Sequence, residues 1–570
     1  MKFKGIGNGY GGEIEVEVSI NNRKIESIEI LRHDETKVIS DPAFENIPQN
    51  IIKKNSILVP NVSGCSMTSR GIREAIKNAL IAAGEDAEKL NEQMIEAETL
   101  EKIASNYTVK LKDRAEFDVI IIGSGGAGLS AAISAASKGA SVAVIEKSNT
   151  LGGNTLVSMG GINIPQNAAQ LKKNIVDNTE SFYEDIIIGG DTENKVEQVS
   201  ILVENALDTY NWLKEYVGVE FKEDALIHFG GHKVPRATVF KGKYAIELIT
   251  KLRTKALEIG VKIYSGVKTK ELILENDRVI GVVSVQNENT ISTFAKFGVI
   301  LATGGFSGNI ELRKKYAPNL DERYKTTNVS GITGDGHMMC ESVGAAFMHM
   351  NYIQTFPISN PKTGELSHIG GSRFDGAILV NKDGKRFVEE LDRRDIVSEG
   401  ILNQKDGVAY LLWGQEIESV NNAIKNNLSE LARLEKEKLF VKVNSLEEGA
   451  DYFGIDKQTL LDTVNKYNKF VENKKDEEFN RRGILLPIKE APFYFQTVAP
   501  AVHHTMGGVV INKYNQVLNA ENNIISGLYA CGEIVGGTHG TNRLGGNAIT
   551  EVIVFGKRAG EHIVDFTNVF

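Results

Sequence analysis

Cysteine, tryptophan and proline are scarce in this chain: 3, 2 and 11 in 570 residues. Cys65, Cys340 and Cys531 are odd in number, far apart and outside any CxxC or CxxCH pattern. That excludes a disulfide framework, a zinc knuckle and a c-type haem site. Long hydrophobic runs are absent too. The most apolar window, 117–135, is cut by Gly123, Gly125, Gly126 and Gly128, short of the ~18 unbroken apolar residues of a membrane span. There is no basic excess: 65 Lys and Arg against 74 Asp and Glu give a net charge of −9. Neither nucleic acid nor an anionic membrane surface is favoured as a partner. The N-terminus lacks the apolar core of a signal peptide, so the expected location is cytoplasmic.

Glycine is the abundant residue, 56 in all, about 10% against a usual ~7%. It is clustered, which points to backbone wrapped around a ligand. With 41% hydrophobic and 24% charged residues, the chain can bury large cores, and its length suggests roughly three to four domains.

Residues 13–31 alternate apolar and polar on both sides of Asn21-Asn22, a hairpin signature. Further on, Ile72, Ala75, Ile76, Ala79 and Leu80 follow helical spacing. Residues 1–84 therefore read as a small α+β domain, and 85–113 as a charged helical connector. At 117 the pattern changes. FDVIII is a buried strand, GSGGAG follows, LSAAISAASKG is a helix of small residues, and SVAVIE is a second strand. This is a βαβ unit. The stretch 351–499 is more charged and less regular, which suggests an inserted domain.

In Gly123-Ser124-Gly125-Gly126-Ala127-Gly128 the first glycine makes the tight turn. The second lets backbone approach a pyrophosphate, and the third lets helix and strand pack closely. The helix N-terminus offers N–H groups to phosphate. Glu146 ends the next strand, where a carboxylate can accept from a ribose hydroxyl. Glycines recur after it, around Lys147, Gly152, Gly153, Asn154, Thr155, Gly160 and Gly161, then at Ala302-Thr303-Gly304-Gly305 and Gly532-Glu533. A dinucleotide touched by both ends of the chain suits FAD better than an exchanging nicotinamide cofactor.

Three blocks, 377–395 (AILVNKDGKRFVEELDRRD), 503–508 (HHTMGG) and 532–548 (GEIVGGTHGTNRLGGNA), make the chain from ~114 onward resemble the soluble fumarate reductase/urocanate reductase flavoproteins, relatives of succinate dehydrogenase flavoprotein subunits. The resemblance implies an α/β architecture: a Rossmann-like FAD-binding domain (114–350 and 500–570) with an inserted α+β capping domain (351–499). It adds Arg543, Gly546, Ala548 and Ile549 to the FAD residues. FAD is expected to be non-covalent, because Asn154 and Thr155 lie where succinate dehydrogenases carry a flavin-linked histidine.

The N-terminal segment resembles FMN-binding domains that join FMN to a threonine by a phosphoester. Ser63-Gly64-Cys65-Ser66-Met67-Thr68 matches the family's Ser-Gly-Ala-Thr-x-Thr, so Thr68 takes the attachment position. Cys65 and Ser66 depart from the pattern. His33, Glu35 and Thr36 match a second family cluster. A flavin transferase is the implied maturation partner.

The resemblance makes Arg394 the proton donor, with Arg373 as its relay partner and His503 and Arg543 as the substrate clamp. The implied reaction reduces the C=C bond of an α,β-unsaturated carboxylate, with electrons relayed through FMN. A guanidinium can grip a carboxylate with its planar fork, and fixed cations stabilise charge developing on the substrate. Arg393 adds neighbouring positive charge in sequence.

Two departures bear on the substrate. The family's Gln-x-His-Pro is here Gln354-Thr355-Phe356-Pro357, with Phe356 in place of a histidine that helps hold a second carboxylate. The family's Thr-Glu pair aligns with Ile369 and Gly370, which breaks the Arg–Glu–Arg relay. Glu365, Glu389, Glu390 or a water chain are the open substitutes. A buried, unpaired second carboxylate would cost several kcal/mol, so a monocarboxylate with an apolar or aryl substituent, cinnamate- or urocanate-like, is expected. Fumarate reduction is the nearest alternative. A ketosteroid-type flavin dehydrogenase, with Tyr352 as base, and a plain flavin electron carrier are further ones. A soluble NADH-oxidising flavoprotein is a plausible electron donor.

Overall fold

The alternation at 13–31 becomes two antiparallel strands, β2 (Glu13–Asn21) and β3 (Lys24–His33), with β1 (Lys2–Asn8) paired along β2. In this computed structural model, residues 2–9, 12–21, 24–35, 40–59, 61–62, 65–90, 94, 111–242 and 245–566 are described. Most of the expected connector at 85–113 lies outside them, as do Asn22, Thr36, Ser63 and Gly64.

Two units emerge, one chiefly of residues 1–110 and the other chiefly of 111–570. In the first, Ile14, Val16 and Val18 of β2 are fully buried with Ile72, Ala75, Ile76 and Ala79 of α2 (Ser66–Ala82). The 2-residue and 3.6-residue periods thus meet in one core. The glycines of β1 serve packing rather than a ligand. A Cβ at Gly5 would lie 2.0 Å from the Ala75 carbonyl oxygen, and one at Gly7 2.2 Å from that of Gly71. Helix α1 (Asp41–Lys54) was not foreseen; it contains prolines at 42 and 48. One sits in the first turn, where no N–H is needed.

The second unit is built on an eight-stranded sheet. Its centre is parallel: β4 (Ala115–Ile122) lies between β5 (Val142–Ile145) and the C-terminal part of the strand Asn289–Leu301, which also pairs with Ile524–Ala530. The helix after β4, α3 (Gly126–Ser137), is buried almost throughout. The C-terminal helix Asn547–Asp565 packs on it through glycines: a Cβ at Gly560 would sit 2.2 Å from the Ala131 carbonyl oxygen. The two ends of this unit therefore pack together on the helix that follows the Gly123–Gly128 loop.

A second, antiparallel sheet of five strands spans 353–505 and has its own core around Leu411, Trp413, Phe495 and Val498. Its longest strand, Phe493–Thr505, pairs at one end with Ala409–Trp413 and Phe440–Val443, and at the other with Ile353–Ser359. No helix among the described residues is long and apolar enough to cross a membrane.

His337 is buried between Phe306 and Phe347, and neither ring nitrogen has a hydrogen-bond partner. Burial pushes its pKa down to about 4. The folded state therefore keeps His337 neutral while the unfolded chain protonates below ~6.5, so this contribution to stability is lost as pH falls from ~6.5. Between pH 6 and 5, the stability of the wild type relative to His337→Leu should drop by about 1.2 kcal/mol. Parallel denaturant curves for the two proteins over that range would count against it.

Candidate active site

The Gly123–Gly128 loop takes the shape its sequence demands. Gly123 has φ +103°, and a Cβ there would meet the Ala302 carbonyl oxygen at 2.3 Å. At Gly128 a Cβ would lie 1.9 Å from the Gly123 carbonyl oxygen, so this glycine joins helix to strand. Gly125 differs: it caps α3, and its Cβ would meet nothing nearer than 3.8 Å. Its open face belongs to a cavity of about 850 Å³ walled also by Glu146, Lys147, Thr303 and Gly532. The Glu146 carboxylate is held by the Ser124 N–H (3.0 Å), the Ser124 hydroxyl (2.8 Å) and the Ser148 N–H (2.7 Å). Lys147 instead donates to Thr333 (2.7 Å) and Asp335 (2.9 Å). A glycine-lined cradle at a helix N-terminus, with a fixed carboxylate at the end of the next strand, fits an adenine dinucleotide.

A second cavity of about 860 Å³ shares Asn154, Thr155, Glu533 and Val552 with the first. All the expected FAD residues line one cavity or the other except Gly128, Gly152 and Gly305. Those three are packing glycines: a Cβ would meet Leu156 Cβ at 2.8 Å from Gly152 and Thr505 Oγ1 at 2.1 Å from Gly305.

The second cavity collects Arg394, Arg543, His503 and Phe356. His503 reaches it through a β-bulge. Gln354 pairs with His504 but Thr355 pairs with Val502, which leaves His503 as the extra residue. Consecutive strand residues normally face opposite ways; the bulge turns both His503 and His504 into one cavity. His503 Nδ1 is 2.6 Å from the Thr327 hydroxyl, which frees Nε2 for a ligand.

Arg394 opens a helix (Arg394–Leu402), where the positive end of the helix dipole disfavours a cation. Its Nη1 donates to Gln354 Oε1 at 3.2 Å, and Gln354 Nε2 donates to the Asn542 side chain (2.6 Å) and the Arg543 carbonyl oxygen (2.7 Å). Gln354 lies off the cavity wall and positions both arginines. The Phe356 ring has the Arg394 guanidinium at 5.0 Å, that of Arg373 at 5.6 Å and the His503 ring at 5.0 Å. The aromatic face supports two cations.

Among the described residues, no carboxylate comes within ion-pair distance of Arg373, Arg394 or Arg543. Burial, then the charges of Arg543 and Arg373, hold Arg394 well below the usual guanidinium range. Burial brings Arg373 and Arg543 down to about 10. Burial and then Arg394 and Arg543 push His503 well below its ordinary value, so it is a neutral hydrogen-bonding imidazole near pH 7. Burial raises Glu533, and takes Glu551 up to about 8. Their charges raise Arg543, but by less than burial lowers it.

Three expectations change. Gly370 is not brought to the cavity: it is buried against Ile358, whose Cγ2 a Cβ would meet at 2.3 Å. Arg393 carries no free charge, since Asp191 and Asp395 hold it. Glu390 is enclosed by Arg386 (2.8 Å) and Arg481 (2.6 Å), and Glu389 is held by Arg482 (2.6 Å). Thr327, Leu366, Phe229 and Met159 also line the cavity without having stood out in the sequence. In the N-terminal unit, Thr68 is buried and its hydroxyl donates to the Glu35 carboxylate. Burial pushes the neighbouring Cys65 thiol up to about 12, so it is no ready nucleophile.

Gly125→Ala should fold normally and lose FAD affinity by at least about tenfold, because its methyl projects into the cradle. Gly128→Ala should lower the melting temperature of the FAD-free protein, because its methyl meets backbone. Flavin titration and thermal melts separate the two; equal effects on both readouts would contradict these roles.

Residues 118–549 match the FAD binding domain model and residues 9–81 the FMN-binding domain model. The chain is 35% identical to a urocanate reductase of Eggerthella lenta over 98% of its own length and 91% of that protein. It is also 35% identical to an NADH:fumarate oxidoreductase of Klebsiella pneumoniae, over 96% of its own length, but it spans only 56% of that relative. The open conformation of a flavocytochrome c3 fumarate reductase superposes with a TM-score of 0.67 at 32% identity, covering 82% of this chain and 81% of that one. The chain carries FAD- and FMN-binding domains and belongs to the family of flavin-dependent oxidoreductases that act on the C=C bond of unsaturated acids.

Proposed function

We propose that this protein reduces a monocarboxylate 2-enoate bearing an apolar or aryl β-substituent, of cinnamate or urocanate type. The observation that carries this reading is the cavity wall. Beyond Asn154, Thr155 and Glu533, which it shares with the first cavity, Arg394, Arg543, His503, His504, Thr327 and Ser158 are its polar side chains, while Phe356, Leu366, Phe229 and Met159 are apolar. One carboxylate satisfies the cations; a second would meet hydrocarbon, which a polar group pays for in desolvation.

FAD, when bound, supplies the hydride for the β-carbon. Arg543 and neutral His503 grip the substrate carboxylate and stabilise charge as it builds toward the α-carbon. Arg394 donates the α-carbon proton; its depressed pKa makes it a far stronger acid than an exposed guanidinium. Gln354 and the Phe356 ring fix its direction. Residues 351–499 are read as a capping body over this site, supported by their separate sheet and core. Thr68 is read as the FMN phosphoester site made by a flavin transferase, and FAD as non-covalent. Electrons would come through FMN from a separate flavoprotein or an NADH-oxidising partner.

Fumarate reduction is the second reading, favoured by the activities named for the Klebsiella relative and the flavocytochrome. The ketosteroid-type alternative has less support, since Tyr352 lies off both cavity walls.

The reduced protein, mixed anaerobically with fumarate, urocanate, cinnamate, hydroxycinnamates or acrylate, should reoxidise fastest with an aryl or other monocarboxylate enoate. Faster turnover with fumarate would refute the monocarboxylate reading. Phe356→His should raise the fumarate-to-cinnamate rate ratio by about tenfold or more. Thr68→Val should remove covalent FMN, read as loss of protein-bound flavin fluorescence in a denaturing gel, and leave FAD content intact. FMN still attached to that variant would place the linkage elsewhere.

A further inference from the structure

Arg394 and Arg543 do not line the substrate cavity alone. With Phe229 they also wall a smaller cavity of about 330 Å³, whose other residues include Arg373, Leu391 and Asp392. Arg394 is thus the partition between two spaces. Asp392 is the carboxylate on the smaller cavity's wall among the described residues. Its side chain is 30% exposed. One oxygen, Oδ1, accepts from the Arg393 N–H and from Arg482 Nη2, both at 2.8 Å. No hydrogen bond to Oδ2 forms among the described residues. The other carboxylates nearby in sequence are committed: Glu390 to Arg386 and Arg481, Glu389 to Arg482, and Asp395 to Arg393. None of these lines the smaller cavity.

We propose that Asp392 relays protons from solvent to Arg394 through this smaller cavity, in place of the carboxylate missing at Gly370. The inference rests on Arg394 being the proton donor. As hydride adds to the β-carbon, an N–H bond of the Arg394 guanidinium breaks and its proton forms the new C–H bond at the α-carbon. The neutral guanidine takes a proton from water in the smaller cavity. The Asp392 carboxylate collects a proton from solvent and hands it to that water, which returns to its starting state. The relay moves one proton per turnover and no electrons. The guanidiniums and the Asp392 carboxylate on its wall give a bridging water polar partners, and the space is enough for about one such water.

The test uses the holoenzyme, reduced anaerobically and mixed with whichever of fumarate, urocanate, cinnamate and acrylate reoxidises the wild type fastest. Asp392→Ala should slow reoxidation by at least about tenfold, with little change in KM and a larger solvent deuterium isotope effect. Added formate, small enough for the cavity, should restore much of the rate, and Asp392→Glu should retain it. A wild-type rate in Asp392→Ala overturns the relay. So does a slow variant with an unchanged isotope effect and no response to formate, which marks Asp392 as a support for Arg482 and the helix start. Arg394→Gln is the control: a variant that keeps its rate, or a wild type inert to all four acids, removes the donor reading and the relay with it.

Discussion

The site depends on three guanidiniums that are buried and have no carboxylate partner among the described residues. Two other buried arginines of this chain are neutralised by pairs of carboxylates. Arg236 is fully buried and paired with Asp177 and Asp185, and Arg386 with Glu390 and Asp476. Arg373, Arg394 and Arg543 receive instead a few carbonyl oxygens, one glutamine and the face of Phe356. Burying an uncompensated charge costs several kcal/mol. A fold carries such a cost where an anion is to be bound, because the ligand then supplies the missing partner. The same burial draws the guanidinium pKa values down, so in the proposed mechanism the anion trap and the acid arise from one cause.

The surroundings make that state tolerable. The buried network of Arg386, Arg481, Glu390 and Asp476 is closed on itself, with Arg481 also donating to the Ala377 carbonyl oxygen at 3.1 Å. It ties the 373–394 segment to residues 476–481 without lending a carboxylate to the reactive arginines. Arg482 does the same for Glu389 and Asp392. Strand 493–505 carries the histidines, and its hydrogen bonds to Ile353–Ser359 fix Gln354 and Phe356 relative to them. Preorganised donors of this kind stabilise charge without reorganising during reaction.

What was legible in the sequence was what local rules decide. The Gly123–Gly128 loop announces turn, approach and packing in six residues, and each glycine does what its position requires. The alternation of β2 and the periodicity of α2 fixed one core. Helix α1 was not foreseen; of its two prolines, one sits in the first turn. Gly5 and Gly7 let β1 approach α2 closely, a contact that no local pattern announces. Arg393 looked like spare charge because its partners, Asp191 and Asp395, include one two hundred residues away. Thr327, Leu366 and His504 enter the site through a bulge and through chain crossings that no short window contains.

Gly370 explains why the departure from the family pattern is more than a single exchange. A carboxylate there would act only if its side chain could leave the backbone toward the arginines. The structure has closed that exit: a Cβ would fall 2.3 Å from Ile358 Cγ2 and 3.2 Å from the Ser367 side chain. Ser367 is itself engaged, donating to Glu430, whose carboxyl burial raises to about 7, and accepting from the Gly370 N–H. Ile358 and Ile369 belong to the core of the five-stranded sheet. Overpacking such a core costs about 1–3 kcal/mol, so restoring glutamate at 370 means repacking Ile358 as well. The apolar Phe356 wall and the closed position at 370 thus form one packing solution. On the proposed function it removes the polar contacts for a second carboxylate and an internal proton route together, and a proton for Arg394 would then arrive by another wall.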